Sequence, residues 1–171
     1  MARVQSFRGW RGARIAAGAC LLALAWTPLS ASDRYRIDWN GPVVVEAEEA
    51  WADSVQRSTR MSGGIVFDHP QWRMRADRAL VSGPLDAPDS VRIEGEPATI
   101  ILRESGQRPQ LEGSGKVIDY VRERDTLTLS GKVSLIEGRR RFSAEHLEYD
   151  LTTRRLSSRG PVRMRYQPPG R

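Results

Sequence analysis

The chain has 171 residues, with 27 Lys and Arg against 21 Asp and Glu, two His and one Cys. Four arginines (Arg3, Arg8, Arg11, Arg14) precede the first acid, Asp33, so beyond that point 23 basic residues face 21 acidic ones, and the charge-driven case for a nucleic-acid partner falls away. The one cysteine, Cys20, leaves no intrachain disulfide to form, so core and sheet must hold any exported domain together.

In chain order, the arginine-rich start is followed by the apolar run IAAGACLLALAWTPL and by Ser30-Ala31-Ser32. A charged opening, an apolar stretch short for a bilayer span and small residues at a cleavage point predict a secretory signal peptide over 1–32. An uncleaved membrane anchor is the alternative reading of the same run. Residues 33–42 read as an N-terminal linker, 43–166 as one domain and 167–171 as a disordered tail. Within the domain, VVVEA (Val43 to Ala47), RMRA, VRIEG, ATIIL, TLTLSGKVSL and PVRMRY alternate apolar and polar residues between Gly, Pro, Asn, Asp and Ser clusters. This is strand patterning with no convincing helix. Turns are expected at His69-Pro70, Ser82 to Asp89, Ser105 to Pro109 and Glu137-Gly138.

The strands are written in repeats. RMSGGIVFDHPQWRMRADRALVS and TLSGKVSLIEGRRRFSAEHLEYD share one skeleton. Small residues stand at Ala47, Ala76, Gly115 and Ala144, and three and five positions after each come Ala50 and Ala52, Ala79 and Val81, Ile118 and Tyr120, Leu147 and Tyr149. Glycines follow at Gly63, Gly95, Gly131 and Gly160. The step from three to five is strand alternation, whereas the step from zero to three reverses the face unless a bulge or bend intervenes. Four such units predict an all-β domain of about 14–16 antiparallel strands in two facing sheets, or a flattened roll. An ordinary sandwich with relic repeats fits the same spacing.

The phrases GEPATIIL (Gly95 to Leu102), LEGSGKVIDYVRERDTLTLSGKVSL (Leu111 to Leu135) and FSAEHLEYD (Phe142 to Asp150) resemble the OstA-like family of LptA-type periplasmic bridge proteins of lipopolysaccharide transport (organic solvent tolerance-like N-terminal domain). The resemblance runs from about Val43 to Tyr166 and rests on the ordered set of phrases. It implies an OstA-like β-jellyroll with an open groove, stacked end to end across the periplasm. Such a protein would shield the acyl chains of lipid A between inner- and outer-membrane partners of the transport machinery. The two alternatives are an inner-membrane-anchored β-jellyroll of the same system and a periplasmic β-scaffold without lipid cargo.

Alternation nominates Val43, Val45, Ile65, Phe67, Ile100, Leu102, Ile118, Tyr120, Leu127, Leu129, Val133, Leu135 and Phe142 as lining residues, either for lipid or for a dry core. The resemblance singles out Val43, Val45, Ile100 and Tyr120 as lipid-contacting. Ile100-Ile101 stands where the family often has an aromatic residue. Head-to-tail contacts are expected from the two ends of the sheet, through Val43, Val44 and Val45 at one and Val162, Met164 and Tyr166 at the other. Arg139-Arg140-Arg141 suit either a solvated turn or glycolipid phosphates. His69 and His146 lie far apart with no cysteine near, which gives no metal site. No phosphate loop, nucleophile elbow or HExxH occurs, so neither a catalytic residue nor a cofactor is expected.

Overall fold

The computed structural model describes Tyr35 and residues 37–103 and 109–168. The expected signal peptide (1–32), most of the expected turn before Pro109 and the last three residues of the expected tail lie outside them. Ten strands make up the described chain: β1 (Val44–Glu46), β2 (Glu49–Asp53), β3 (Ser58–His69), β4 (Trp72–Ser82), β5 (Ser90–Arg103), β6 (Pro109–Val121), β7 (Thr126–Glu137), β8 (Arg140–Asp150), β9 (Arg155–Ser158) and β10 (Arg163–Tyr166). One 3₁₀ turn, Arg122–Arg124, joins β6 to β7. All pairings among the described residues are antiparallel, and all but β1 with β3 and β10 with β8 join chain neighbours, so the sheet is an open meander.

Each of the six long strands, β3 to β8, is interrupted by a shift of register near its middle. β1 pairs with one half of β3 and β2 with the other, while β10 and β9 divide β8 in the same way. The six long strands therefore contribute two arms each and the four short strands one each, giving sixteen arms in two opposed sets of eight. The 14–16 strands expected from sequence are these arms. The backbone runs through the bends instead of breaking at them, so ten continuous strands result.

Bulge chemistry explains the bends. The interruptions fall at Gly63-Gly64, at Ala76-Asp77, between Glu94 and Ala98, at Gly115-Lys116 and at Gly131-Lys132. Gly63 (φ +83) and Gly131 (φ +79) adopt the left-handed region. A Cβ on Gly63 would stand 2.5 Å from the Glu48 Cβ, and one on Gly131 2.8 Å from the Lys116 Cγ. Glycine is the residue that permits both the dihedral and the close approach. The extra residue also restores the inward direction after an odd step, so Ala76 and Ala79 both face inward and are buried.

Two continuous inner rows cross each arm set. In the first set they are Val45, Phe67, Met74, Ile100, Gly113, Leu135, Phe142 and Met164, and then His69, Trp72, Leu102, Leu111, Glu137, Arg140 and Tyr166. In the second set they are Ala50, Met61, Ala79, Ile93, Ile118, Leu129, Leu147 and Ser158, and then Ala52, Thr59, Val81, Val91, Tyr120, Leu127, Tyr149 and Leu156. The two sets meet across the core. A Cβ on Gly113 would lie 2.9 Å from both Ile100 Cγ2 and Leu129 Cδ2, side chains of opposite arms.

Of residues 33–42, expected as a linker, three side chains belong to this core. Tyr35, Ile37 and Trp39 are buried within it. The expected turns stand within a residue of the observed ones at Pro70-Gln71, Gly83 to Asp89 and Gly138-Arg139, with Ser82, His69 and Glu137 closing their strands.

One buried charge is tied to the fold at the tips of the arms. Glu137, 4% exposed, accepts from Arg140 (2.7 Å), from Arg154 (2.9 Å) and from the Tyr149 hydroxyl (2.8 Å). Burial, and then the Glu137 carboxylate, push the Tyr149 hydroxyl well above its ordinary range, so it stays a donor. Glu137→Ala would strand three donors around a buried site, and it should lower stability by about 3 kcal/mol and Tm by roughly 10 °C. Glu137→Gln, which keeps an acceptor for Tyr149, should lose less; urea and thermal denaturation of the two variants check the order.

Candidate functional site

The inner surface is the one continuous apolar feature that runs the length of the described chain, and the nominated lining residues fall on it. Ile65, Phe67, Ile100, Leu102, Val133, Leu135 and Phe142 belong to the first arm set, and Ile118, Tyr120, Leu127 and Leu129 to the second; all are buried. Val43 is partly buried against the core, and Val45 is 38% exposed. Exposure therefore grades along the rows, from zero at Ile100 in the middle to substantial at the ends.

Those ends are unpaired. β1 and β2 form one edge, bent at Ala47-Glu48, and β9 and β10 form the other, bent near Gly160. Val45 opens the first inner row at one edge and Met164 closes it at the other. Met164 and Tyr166 are each 61% exposed, and Val44 and Val162 are exposed too. Six of the eight large hydrophobic side chains exposed among the described residues lie in these edges or immediately beside them: Val44, Val45, Trp51, Val162, Met164 and Tyr166. The nominated interface residues are thus brought to the two ends of one fold.

The edges differ in charge. From Val43 to Asp53 the chain carries Glu46, Glu48, Glu49 and Asp53 and no base, whereas from Arg155 to Tyr166 it carries Arg155, Arg159, Arg163 and Arg165 and no acid. A groove of about 830 Å³ beside β10 is lined by Lys132, Arg141, Arg163 and Arg165, with Glu145 the one acid. At the opposite edge a groove of about 780 Å³ is lined by Trp51, Leu80, Asp53, Arg60, Arg78 and Arg92, the last two paired with Glu94.

Of the arginine triplet, Arg140 is committed to Glu137, while Arg141 points to the outer face opposite Arg165. Glu48, Asp77 and Glu145 sit exposed along the line of bends, where Lys116 pairs with Glu96 (2.7 Å) and Asp77 accepts from the Glu96 N–H (3.3 Å). The hydrogen bond to Lys116 is the main cause holding the Glu96 carboxyl below its usual range. His146 bonds Ser130 Oγ (3.0 Å), and His69 stacks on Trp72 (5.3 Å between ring centres).

Sequence reasoning missed the mouth, the side opposite the bends, at the arm tips. Trp39 packs on Trp72 (4.6 Å between ring centres), and the Trp72 Nε1–H donates to the Asp38 carbonyl (2.7 Å). At the other end of the segment, Arg154 stacks over the Tyr35 ring (4.6 Å) and donates to its hydroxyl (3.1 Å). A pocket of about 450 Å³ lies between this segment and the tip loops at Asp86, Arg122 to Asp125 and Thr152. The Tyr-x-Ile-x-Trp alternation was the available signal, but it has no counterpart in the repeat and ends in Asn40-Gly41-Pro42.

Residues 44–155 match the family model described as LptA/(LptD N-terminal domain) LPS transport protein. Among solved structures, the fold is similar to LptH, the LptA-homologous periplasmic component of the conserved lipopolysaccharide transport device from Pseudomonas aeruginosa. That likeness has a TM-score of 0.68 at 19% identity, over 77% of this chain and 99% of the other. No curated protein matches in sequence.

The gradient of burial separates two substitutions. Ile100→Asp places an unpaired carboxylate in a filled core and should abolish cooperative folding, since such burial costs several kcal/mol. Val45→Asp, at an edge, should leave Tm within a few degrees and change only what the edge contacts. Circular dichroism melts of the two variants test this directly.

Proposed function

The chain belongs to the LptA/LptD N-terminal-domain family of lipopolysaccharide transport proteins, and from that membership we propose that it is a periplasmic bridge component, exported by its signal peptide, whose inner face shelters the acyl chains of lipid A. It would do so between inner- and outer-membrane parts of the machinery, in a head-to-tail array of its own copies. The observation that carries this reading is that the apolar inner rows do not stop inside the domain. They run out at two unpaired edges, at Val45 and at Met164.

The physical requirement is severe. At about 0.8 kcal/mol per methylene, one dodecanoyl chain in water costs roughly 9 kcal/mol. A carrier must therefore offer unbroken apolar surface between two membranes, and a chain of equivalent troughs does this without any single tight site. Each arm set has an even number of strands in antiparallel order. A second copy placed by translation along the sheet would thus set its β1 and β2 antiparallel to β10 and β9, continuing both ladders and both pairs of inner rows. The acidic N-terminal edge would meet the basic C-terminal edge, which favours this joint over edge-to-like-edge pairing. A heterologous joint does not close on itself, so the array lengthens with concentration.

Two measurements test the proposal. Deletion of Pro161 to Arg171 should leave a folded monomer, whereas the intact mature chain should form oligomers that grow with concentration and shorten as salt rises from about 0.05 to 0.5 M. Concentration-dependent oligomers in the truncated chain would defeat the joint. For cargo, photo-crosslinking from Val45 in cells should yield lipopolysaccharide adducts. Organic extraction of the purified protein that returns no lipid A species, together with no adduct, would favour a scaffold without cargo.

A further inference from the structure

We propose that the groove beside β10 is a phosphate-binding site for the headgroup of an anionic lipid, built from Lys132, Arg141, Arg163 and Arg165. The phosphate chemistry follows from these side chains alone; that a lipid bears it rests on the inner face being the acyl-chain site. Three observations carry the site.

The first is that these cations lack counter-charges. Several bases elsewhere on the sheet meet an acid: Arg73 with Asp68, Arg78 and Arg92 with Glu94, Lys116 with Glu96. In the groove, none of the four makes an ion pair or a side-chain hydrogen bond among the described residues, and all four are exposed. Glu145 is the one acid on the lining. Of the arginine triplet, Glu137 holds Arg140 and leaves Arg141 to the groove.

The second is that two of the cations are set against each other. Arg141 and Arg165 are direct cross-strand partners in the ladder of β8 with β10, next to the inner-row pair of Phe142 and Met164. Like charges directly opposite destabilise an antiparallel pair, and an anion held between them removes that cost. A second copy at this edge would not supply one. Translation along the sheet places Glu46 in the row of Arg163 but Val44 in the row of Arg165. The acidic edge thus neutralises one arginine and leaves the opposed pair as it was.

The third is the donor set. Ser143 stands opposite Arg163 and Ser134 opposite Ser143, and both line the groove, so hydroxyls lie in register with the guanidinium forks. A phosphate monoester carries about two negative charges near pH 7 and three acceptor oxygens, which forks and hydroxyls converging from two strands satisfy together. Lys132 adds a charge at the bend from an unfavourable backbone. Its φ is +53, and Gly64 holds the matching place in the first repeat at φ +63. A lysine thus stands in the left-handed region where glycine would suit, and it lines the groove. The bearer follows from the strand itself. β10 turns Met164 and Tyr166, both 61% exposed, to one side and Arg163 and Arg165 to the other. One edge offers apolar and cationic contacts together, as a phosphorylated amphiphile requires.

The test uses the full mature chain and three probes. Two are lipid A with its phosphates and lipid A stripped of them, each dispersed in a neutral detergent; the third is pyrophosphate, a free source of the same chemistry. The unmodified protein should bind the phosphorylated lipid at least about tenfold more tightly than the stripped one, and Arg141→Gln/Arg165→Gln should erase that preference. The same variant should melt no lower than the unmodified chain, because it removes an opposed like-charged pair. A preference that survives in the variant overturns the site. If the double variant does not fold, Lys132→Gly, which suits the backbone at that bend, decides: it should weaken binding of the phosphorylated lipid only, and an unchanged affinity overturns the proposal. Pyrophosphate binding lost in the variant while the lipid preference is kept assigns the groove to free phosphate and overturns the lipid bearer. Self-association lost while the lipid preference is kept assigns it to the joint between copies and overturns it likewise. Equal binding of the two lipids by the unmodified chain defeats this site alone, whereas binding of neither defeats the proposed function along with it.

Discussion

The structure depends on one constraint: each of six long strands must bend along a common line and still present its apolar side chains to the same side. A strand that simply curved would keep its alternation, and a strand that broke would lose its ladder. A bulge with a small or glycine residue at the bend does neither, because the added residue turns an odd sequence step into an inward-facing pair. At Gly63 and Gly131 the backbone is in the left-handed region, and Glu48 from the bend between β1 and β2, or Lys116 from β6, fills the space where a Cβ would stand. The charged partners of these small residues face solvent along the outside of the bend. The ion pair of Lys116 with Glu96 is exposed and salt-screened, so it sets register more than it holds the fold together.

From that bend the remaining architecture follows. Folding a meander in half produces two facing arm sets from a single sheet, and their inner rows become one core because each long strand passes from one set to the other at its bend. It also leaves both edges of the meander open, since a sheet bent across its strands cannot close along its order. Each edge then carries a bent pair of short strands, with apolar side chains on the inside and charge on the outside. Met164 faces inward from β10 while Arg163 and Arg165 face outward, which protects an obligatory edge from indiscriminate pairing.

Much of this was legible in the sequence because it is local and repeated. Ala50 and Ala52, Ala79 and Val81, Ile118 and Tyr120, Leu147 and Tyr149, picked out by spacing alone, are the inner rows of one arm set. The turns were legible from their Gly, Pro and Asp content. What the sequence concealed is non-local. Glu137 looked like a turn residue, and nothing near it announces that Arg154 and Tyr149 will converge on it. Tyr35, Ile37 and Trp39 lie outside the repeat, so periodicity had nothing to align them with, and they pack on Trp72, Tyr149 and Arg154 from distant parts of the chain. The number of continuous strands was blurred for the opposite reason: the bend signal is so strong that each strand reads as two.

A lipid-free trough faces a conflict that an ordinary core does not. Apolar rows left open to water would make the free protein aggregate, while rows closed by well-packed, permanent elements would exclude cargo. The fold meets the first demand in two ways: the arms approach each other closely at Gly113, and side chains from outside the sheet cover the mouth. The arms are held by ladders over their full length, so opening them along their middle means breaking many hydrogen bonds at once. The second demand is therefore met most cheaply at the two edges, where the inner row is already exposed at Val45 and at Met164 and no partner strand has to be displaced.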